Sequence, residues 1–216
     1  HSASPQPRRA RPASATQPPP ALPQPELPVQ PRIQPISLDD ADAPTRELFD
    51  RIPPPMRTMN VFRTFANHPD LMGAWLGFGA YLLRSSTLEP RLRELVVLRV
   101  GWQCRSPYEW GQHVLIGRKS GVLDADLQRL TQEPDADGWS VAEAAALRAT
   151  DELIEQHTLG DATWTDLTAH FTTQQILDLI FLVCQYQLVA GALHALRVER
   201  DDGVDANALP FPIPAE

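Results

Sequence analysis

From Ile36 onward the apolar residues recur at intervals of three and four, the spacing of one face of an α-helix. The stretch DLMGAWLGFGAYLLRSS places Leu71, Trp75, Phe78 and Leu82 on such a face. The same rhythm predicts helices over DDADAPTRELFDRI, VFRTFANHP, EPRLRELVVLRVGWQC, SPYEWGQHVLIGRKSG, VLDADLQRLTQ, SVAEAAALRATDELIEQH, DATWTDLTAHF and TTQQILDLIFLVCQYQLVAGALHAL. Pro53–Pro55 breaks the first of these, and Pro90 suits a first helical turn. Ser140, Asp161 and Thr172 or Thr173 are expected N-caps, and Gly121 an expected left-handed stop. No period-2 run and no Asn-Gly hairpin signal interrupts the series, so the fold class is all-α.

The longest apolar run, ILDLIFLVCQYQLVAGAL at 176–193, carries Asp178, Gln185 and Gln187. It reads as a helix buried in a core or a subunit interface rather than a membrane span. Cys184 within it reads as a small core residue.

Residues 1–35 break the helical pattern. They hold eleven of the 22 prolines and hardly an apolar cluster, which predicts an extended Pro-rich arm ahead of one domain over 36–216. The arm carries Arg8, Arg9, Arg11 and Arg32 against Glu26, so a total of -8 leaves -11 on the domain. A body that acidic is a poor partner for nucleic acid. No signal-peptide pattern is present, which points to the cytoplasm. The chain starts at His1, so an exported form with its leader removed is the other reading.

Chemistry concentrates in SPYEWGQH. Ser106-Pro107-Tyr108-Glu109 has the form of a capping box with proline at the first helical position. Glu109 and His113, four apart, share one helix face, where a carboxylate beside an imidazole suits acid–base work or a plain ion pair. Arg84, Arg91, Arg93, Arg99 and Arg105 crowd the region just before it, a local reversal of sign that suits an anionic substrate or internal ion pairs. Metal binding lacks its usual patterns: there is no HxH, CxxC or repeated ExxH.

The run RELVVLRVGWQCRSPYEWGQHVLIGRKSG resembles the carboxymuconolactone decarboxylase and alkylhydroperoxidase D superfamily. NVFRTFANHPDLMGAWLGFGAYLL and LIFLVCQYQLVAGAL resemble it too, so the likeness spans most of 36–212. Redox members carry glutamate, two cysteines spaced CxxC, and a histidine, and here Glu94, Ser106, Glu109 and His113 fall on those places. With serine and glutamate where the thiols belong, the resemblance is to the non-redox, decarboxylase-like branch. It implies a helical bundle that assembles as a trimer or hexamer. The implied chemistry is cofactor-free proton transfer on a small unsaturated carboxylate or lactone, with His113, Glu109, Glu94 and Tyr108 as catalytic residues. His113 would move the proton, Glu109 tune it, Glu94 relay protons and Tyr108 polarise an oxygen. Ser106, Arg99, Arg105 and His194 are the expected substrate contacts; no metal, cofactor or membrane contact is expected. Two other readings stand beside this one: peroxide reduction through Cys104, and an oligomeric ligand-binding protein without catalysis.

Overall fold

The computed structural model describes residues 30–204, so most of the Pro-rich arm, and residues 205–216, lie outside the described residues. Among the described residues the chain forms nine α-helices and no strand. They are α1 (Ala43–Asp50), α2 (Asn60–Phe65), α3 (Pro69–Arg84), α4 (Pro90–Gln103), α5 (Pro107–Lys119), α6 (Asp124–Arg129), α7 (Val141–Gln156), α8 (Asp161–His170) and α9 (Thr173–Leu196), with one 3₁₀ turn at Pro54–Met56. The proline break thus becomes that turn.

The helix ends follow their capping chemistry. Ser140 and Thr172 each accept from the third backbone N–H, while Glu143 and Gln175 reach back to the cap N–H. Gly121, at φ +90°, ends α5 as expected. At α8 the expectation is corrected: Gly160 is the N-cap and Asp161 the first helical residue, its charge suited to the positive helix start.

The bundle is organised around α4, which packs against α5, α7 and α9. Leu95, Val96, Val97, Leu98 and Val100 are all fully buried, because α4 is covered on every side. At roughly 1.5–3 kcal/mol for each buried aliphatic side chain, this helix anchors the fold. A second apolar cluster joins α1, α2 and α3 to Tyr108, Val189 and Leu193. The last residues of the expected arm lie along this layer, with Arg32 bonded to the carbonyls of Ala195 and Leu196 and the Ile36 carbonyl accepting from Arg63.

Helix α9 is not wholly internal. Ile176, Leu179, Leu182, Val183 and Tyr186 face the core, whereas Leu177, Phe181 and Leu188 are more than half exposed. Cys184 is exposed as well, which corrects its reading as a core residue. The helix is long and apolar enough to cross a membrane, yet just over half of that stretch is buried inside the bundle. In α3 likewise, Leu82 is buried while Leu71 and Phe78 of the expected stripe are exposed.

Candidate functional site

The site begins with a tight reversal between α4 and α5. Arg105 adopts a left-handed conformation at φ 51°, and the Ser106 N–H donates to the Gly101 carbonyl at 2.9 Å, closing α4. Helix α5 then starts at Pro107 and folds straight back along α4. Gly101 permits the close approach, since a Cβ there would lie 3.4 Å from the Trp110 backbone nitrogen.

This packing carries Glu94 of α4 to His113 of α5. The His113 Nδ1 lies 2.7 Å from Glu94 Oε2, and Arg93 Nε donates to Glu94 Oε1 at 3.2 Å. Glu94 is fully buried. Burial alone would raise its pKa, but His113, then Arg93, hold it below the ordinary carboxyl value. The expected partnership is therefore corrected: Glu94, not Glu109, contacts the imidazole. Spacing of four residues puts Glu109 and His113 on one face, but it does not turn them toward each other. Tyr186 of α9 meets the His113 ring edge-on with centroids 5.0 Å apart.

Glu109 is a different kind of acid. It is 3% exposed, and neither carboxyl oxygen has a hydrogen-bond partner of normal geometry. The expected capping box is absent, as the Ser106 hydroxyl is buried and equally unbonded. Burial pushes the Glu109 pKa up to about 8, with only the nearby Ser106 hydroxyl acting the other way. Two carboxyls close in sequence to one fold element are thus held in opposite states: Glu94 charged, Glu109 protonated at neutral pH. Cys104, half-buried, has its thiol pushed up to about 11 by burial and by Glu109.

Tyr108 is fixed by a residue from beyond α9. Its hydroxyl donates to Asp201 Oδ2 at 2.5 Å and accepts from the Val61 N–H at 3.1 Å. Burial, then Asp201, raises its pKa. Asp201 also accepts from the Asn60 N–H at 2.6 Å and from Gln112 Nε2 at 2.9 Å. The Tyr108 O–H is therefore already engaged as a hydrogen-bond donor to a carboxylate.

Tyr108, Glu109, Gln112 and His113 line a cavity of about 210 Å³ together with Gln185 and Tyr186 from α9, and Arg51 and Arg84 are also in its wall. Glu94 and Ser106 stand outside this lining, Glu94 directly behind His113. None of the four expected substrate contacts lines the cavity, Ser106 included. Arg99 is buried and bonded to Asp151 and to the Leu130 and Gln132 carbonyls, while Arg105 and His194 are exposed elsewhere. Arg91 pairs with Asp126 and Glu143, so of the arginine cluster only Arg84 belongs to the cavity wall. Among the described residues no group of three or more His, Cys, Asp or Glu is placed to hold a metal ion.

Sequence reasoning missed Arg51, Asp201, Gln112 and Tyr186. The signal for Gln185 was present, as an amide within an otherwise apolar run.

Residues 69–152 match the carboxymuconolactone decarboxylase family. No curated protein sequence matches the chain. Solved structures share its fold at low identity. The alkylhydroperoxidase AhpD core of an uncharacterized peroxidase-related protein from Ralstonia eutropha JMP134 superposes with a TM-score of 0.69 at 18% identity, covering 80% of this chain and 93% of that one. An uncharacterized peroxidase-related protein from Silicibacter sp. TM1040 gives 0.68 at 14%, covering 80% and 94%. The debrominase Bmp8 gives 0.67 at 14%, covering 82% and 95%, and a variant of it has been solved with 2,3,4-tribromopyrrole.

Proposed function

Because the chain belongs to the superfamily of carboxymuconolactone decarboxylase and AhpD-like proteins, we propose that its cavity performs cofactor-free acid–base chemistry on a small unsaturated carboxylate or lactone. The observation that carries this reading is the pair of unlike proton carriers in one wall: His113 backed by the charged Glu94, and Glu109 buried without a partner.

The chemistry follows from their states. Glu94 holds Nδ1 of the imidazole, so Nε2 is the nitrogen left to exchange a proton with a bound molecule, and the imidazolium formed is stabilised by the carboxylate behind it. Glu109, protonated below about pH 8, supplies a proton to carbon or oxygen. In an isomerisation, His113 takes a proton from one carbon, the double bond shifts, and Glu109 protonates the other end. In a decarboxylation, the C–CO₂ bond breaks, its electron pair enters the conjugated carbonyl, and Glu109 protonates the carbon left behind. Neither route needs the Tyr108 proton, which stays on the phenol and is committed to the hydrogen bond with Asp201. The role left to Tyr108 is to shape the wall.

Peroxide reduction through Cys104 is the weaker reading. A thiol pushed up to about 11 supplies almost no thiolate at neutral pH, and Cys184 lies elsewhere on the exposed face of α9. The test is solvent exchange: wild-type protein in D₂O with a panel of unsaturated carboxylates and lactones, followed by NMR for deuterium uptake and CO₂ release. Uptake that disappears in His113→Ala and Glu109→Gln supports the reading; uptake unchanged in both overturns it.

We also propose that the chain self-associates through α9. Leu177, Phe181, Cys184, Leu188 and Gly191 are spaced four, three, four and three apart and all exposed, the repeat that faces another helix of the same pitch. The small Cys184 and Gly191 flank Leu188 along it, leaving room for a large side chain of a second copy. Phe78 of α3 widens the apolar face by packing edge-on against Phe181.

A further inference from the structure

Proton transfer beside a conjugated carbonyl sends an electron pair onto oxygen, and that oxygen needs a hydrogen-bond donor. Two donors in the cavity wall are already committed. Tyr108 donates to Asp201 Oδ2 at 2.5 Å, and the Gln112 amide donates to the same oxygen at 2.9 Å. Tyr186 is in a different state. It lines the cavity, is only 7% exposed, and its hydroxyl has no hydrogen-bond partner among the described residues. A buried hydroxyl left unpaired is costly, and a ligand that brings the acceptor accounts for it.

Packing sets where this phenol stands. Leu182, Val183 and Val189, three or four residues away along α9, are buried with it. The Tyr186 ring meets that of His113 at 88°, with the centroids 5.0 Å apart, so the phenol lies beside the imidazole that exchanges protons. Burial, then Glu94 and Glu109, raises its pKa well above the ordinary tyrosine value, and the hydroxyl keeps its proton as a donor rather than serving as a base. Gln185, one position earlier, is 5% exposed and equally unpartnered. Successive helical residues point about 100° apart, however, and Tyr186 is the one in contact with His113.

We propose that Tyr186 is a catalytic residue, its O–H donating to the substrate carbonyl oxygen that takes up negative charge during the reaction. The assignment rests on the acid–base reading, and it moves to α9 the role expected of Tyr108. As His113 Nε2 takes a proton from carbon, the C–H electron pair moves through the double bond onto the carbonyl oxygen. The Tyr186 hydrogen bond strengthens at that moment, and the phenol keeps its proton. The pair then returns as Glu109 protonates the far carbon, the imidazolium proton restores Glu109, and the oxidation level is unchanged.

Coumarin and 2H-chromene, which differ only in the ring carbonyl, test it. Coumarin is expected to bind the wild type more tightly, with its C=O stretch moved to lower frequency in infrared difference spectra. Tyr186→Phe keeps the ring against His113 and removes one oxygen. It is expected to weaken coumarin by roughly five-fold, abolish most of the frequency shift, and leave 2H-chromene unchanged. Because the hydroxyl is unpartnered in the free protein, the variant should melt at or above the wild-type temperature. In D₂O the same variant should slow deuterium uptake by about 10²-fold. A frequency shift that survives Tyr186→Phe, or that is lost instead in Gln185→Leu, overturns the assignment. So does equal binding of the two probes, binding of neither, or a lowered melting temperature, which would give the hydroxyl to the fold. The probes read no turnover, so the two readings fail separately. A Tyr186-dependent carbonyl shift without any proton exchange defeats the acid–base reading alone; exchange that Tyr186→Phe leaves untouched defeats this one alone.

Discussion

Glu94 and His113 stand on different helices, yet Glu94 Oε2 lies 2.7 Å from His113 Nδ1 with both side chains more than nine-tenths buried. A carboxylate in that position fixes the ring orientation, selects the nitrogen that carries the proton, and favours the charged imidazolium once it forms. His113, and then Arg93 on the other carboxylate oxygen, keep Glu94 ionised. The pair is a buried contact between two helices rather than a surface ion pair.

Glu94→Gln keeps the shape and removes the charge. The expected outcome is a loss of proton-exchange rate of roughly 10²-fold or more, with substrate affinity little changed, because Glu94 stands behind His113 and outside the cavity lining. Steady-state rates with separate kcat and KM values check this. A fall in affinity alone, with the rate intact, would show the pair to be structural.

The buried Glu109 carboxyl makes a stability prediction with a definite sign. Its folded pKa of about 8 exceeds the ordinary 4.5, so the folded chain keeps a proton that the unfolded chain has released. The contribution is fully present below 4.5 and is lost as pH rises toward 8. Across that window the gap in unfolding free energy between wild type and Glu109→Gln should shift by about 1.4 kcal/mol per pH unit, the wild type losing ground as pH rises. Urea unfolding at pH 5, 6.5 and 8 measures it. A gap that stays flat would mean that Glu109 ionises normally.

The two cysteines should separate cleanly under alkylation. Cys184 is exposed on α9, whereas Cys104 is half-buried with its thiol pushed up to about 11. At pH 8 that leaves Cys104 roughly 10³-fold short of thiolate, so in protein held monomeric by Phe181→Asp, which uncovers the α9 face, iodoacetamide should modify Cys184 first and Cys104 only in strongly alkaline solution. Peptide mass spectrometry against time decides the order. Fast modification of Cys104 would revive thiol chemistry at this site.

How much of this was legible in the chain depended on whether the controlling contacts were local. Helices and caps at Ser140 and Thr172 were, since each is decided within four residues. The resemblance placed Glu94, Glu109 and His113 in one region; in the structure Glu109 and His113 line the cavity and Glu94 stands behind His113. Spacing within α5 could not reveal that His113 turns to α4, because that pairing depends on how two helices cross. Asp201 reaches Tyr108 across 93 positions of sequence, and no local pattern encodes such a contact. Cys184 and Leu188 belong to the apolar run yet lie on its exposed side, because an almost uniformly apolar helix does not say which of its faces the core takes. Arg84 looked like its neighbours, and only the tertiary positions of carboxylates separate the paired arginines from the free one.

That unexplained apolar face leads to the last prediction. Leu177, Phe181 and Leu188 are 51%, 53% and 58% exposed on one chain, an arrangement that leaves large side chains in water along a regular seam. If a second copy covers them, the protein should sediment as a multiple of its 24.0 kDa mass. Phe181→Asp and Leu188→Asp each put a charge into the seam, where a partner would have to desolvate it, so each should shift the protein toward monomer while leaving its helical content unchanged. Leu179→Asp, by contrast, strikes a residue only 1% exposed in the bundle core and should unfold the chain instead of dissociating it. Sedimentation velocity with circular dichroism on the three variants distinguishes the outcomes. A wild type that stays monomeric at micromolar concentration, or an oligomer indifferent to charges at positions 181 and 188, would mean that α9 faces something other than itself.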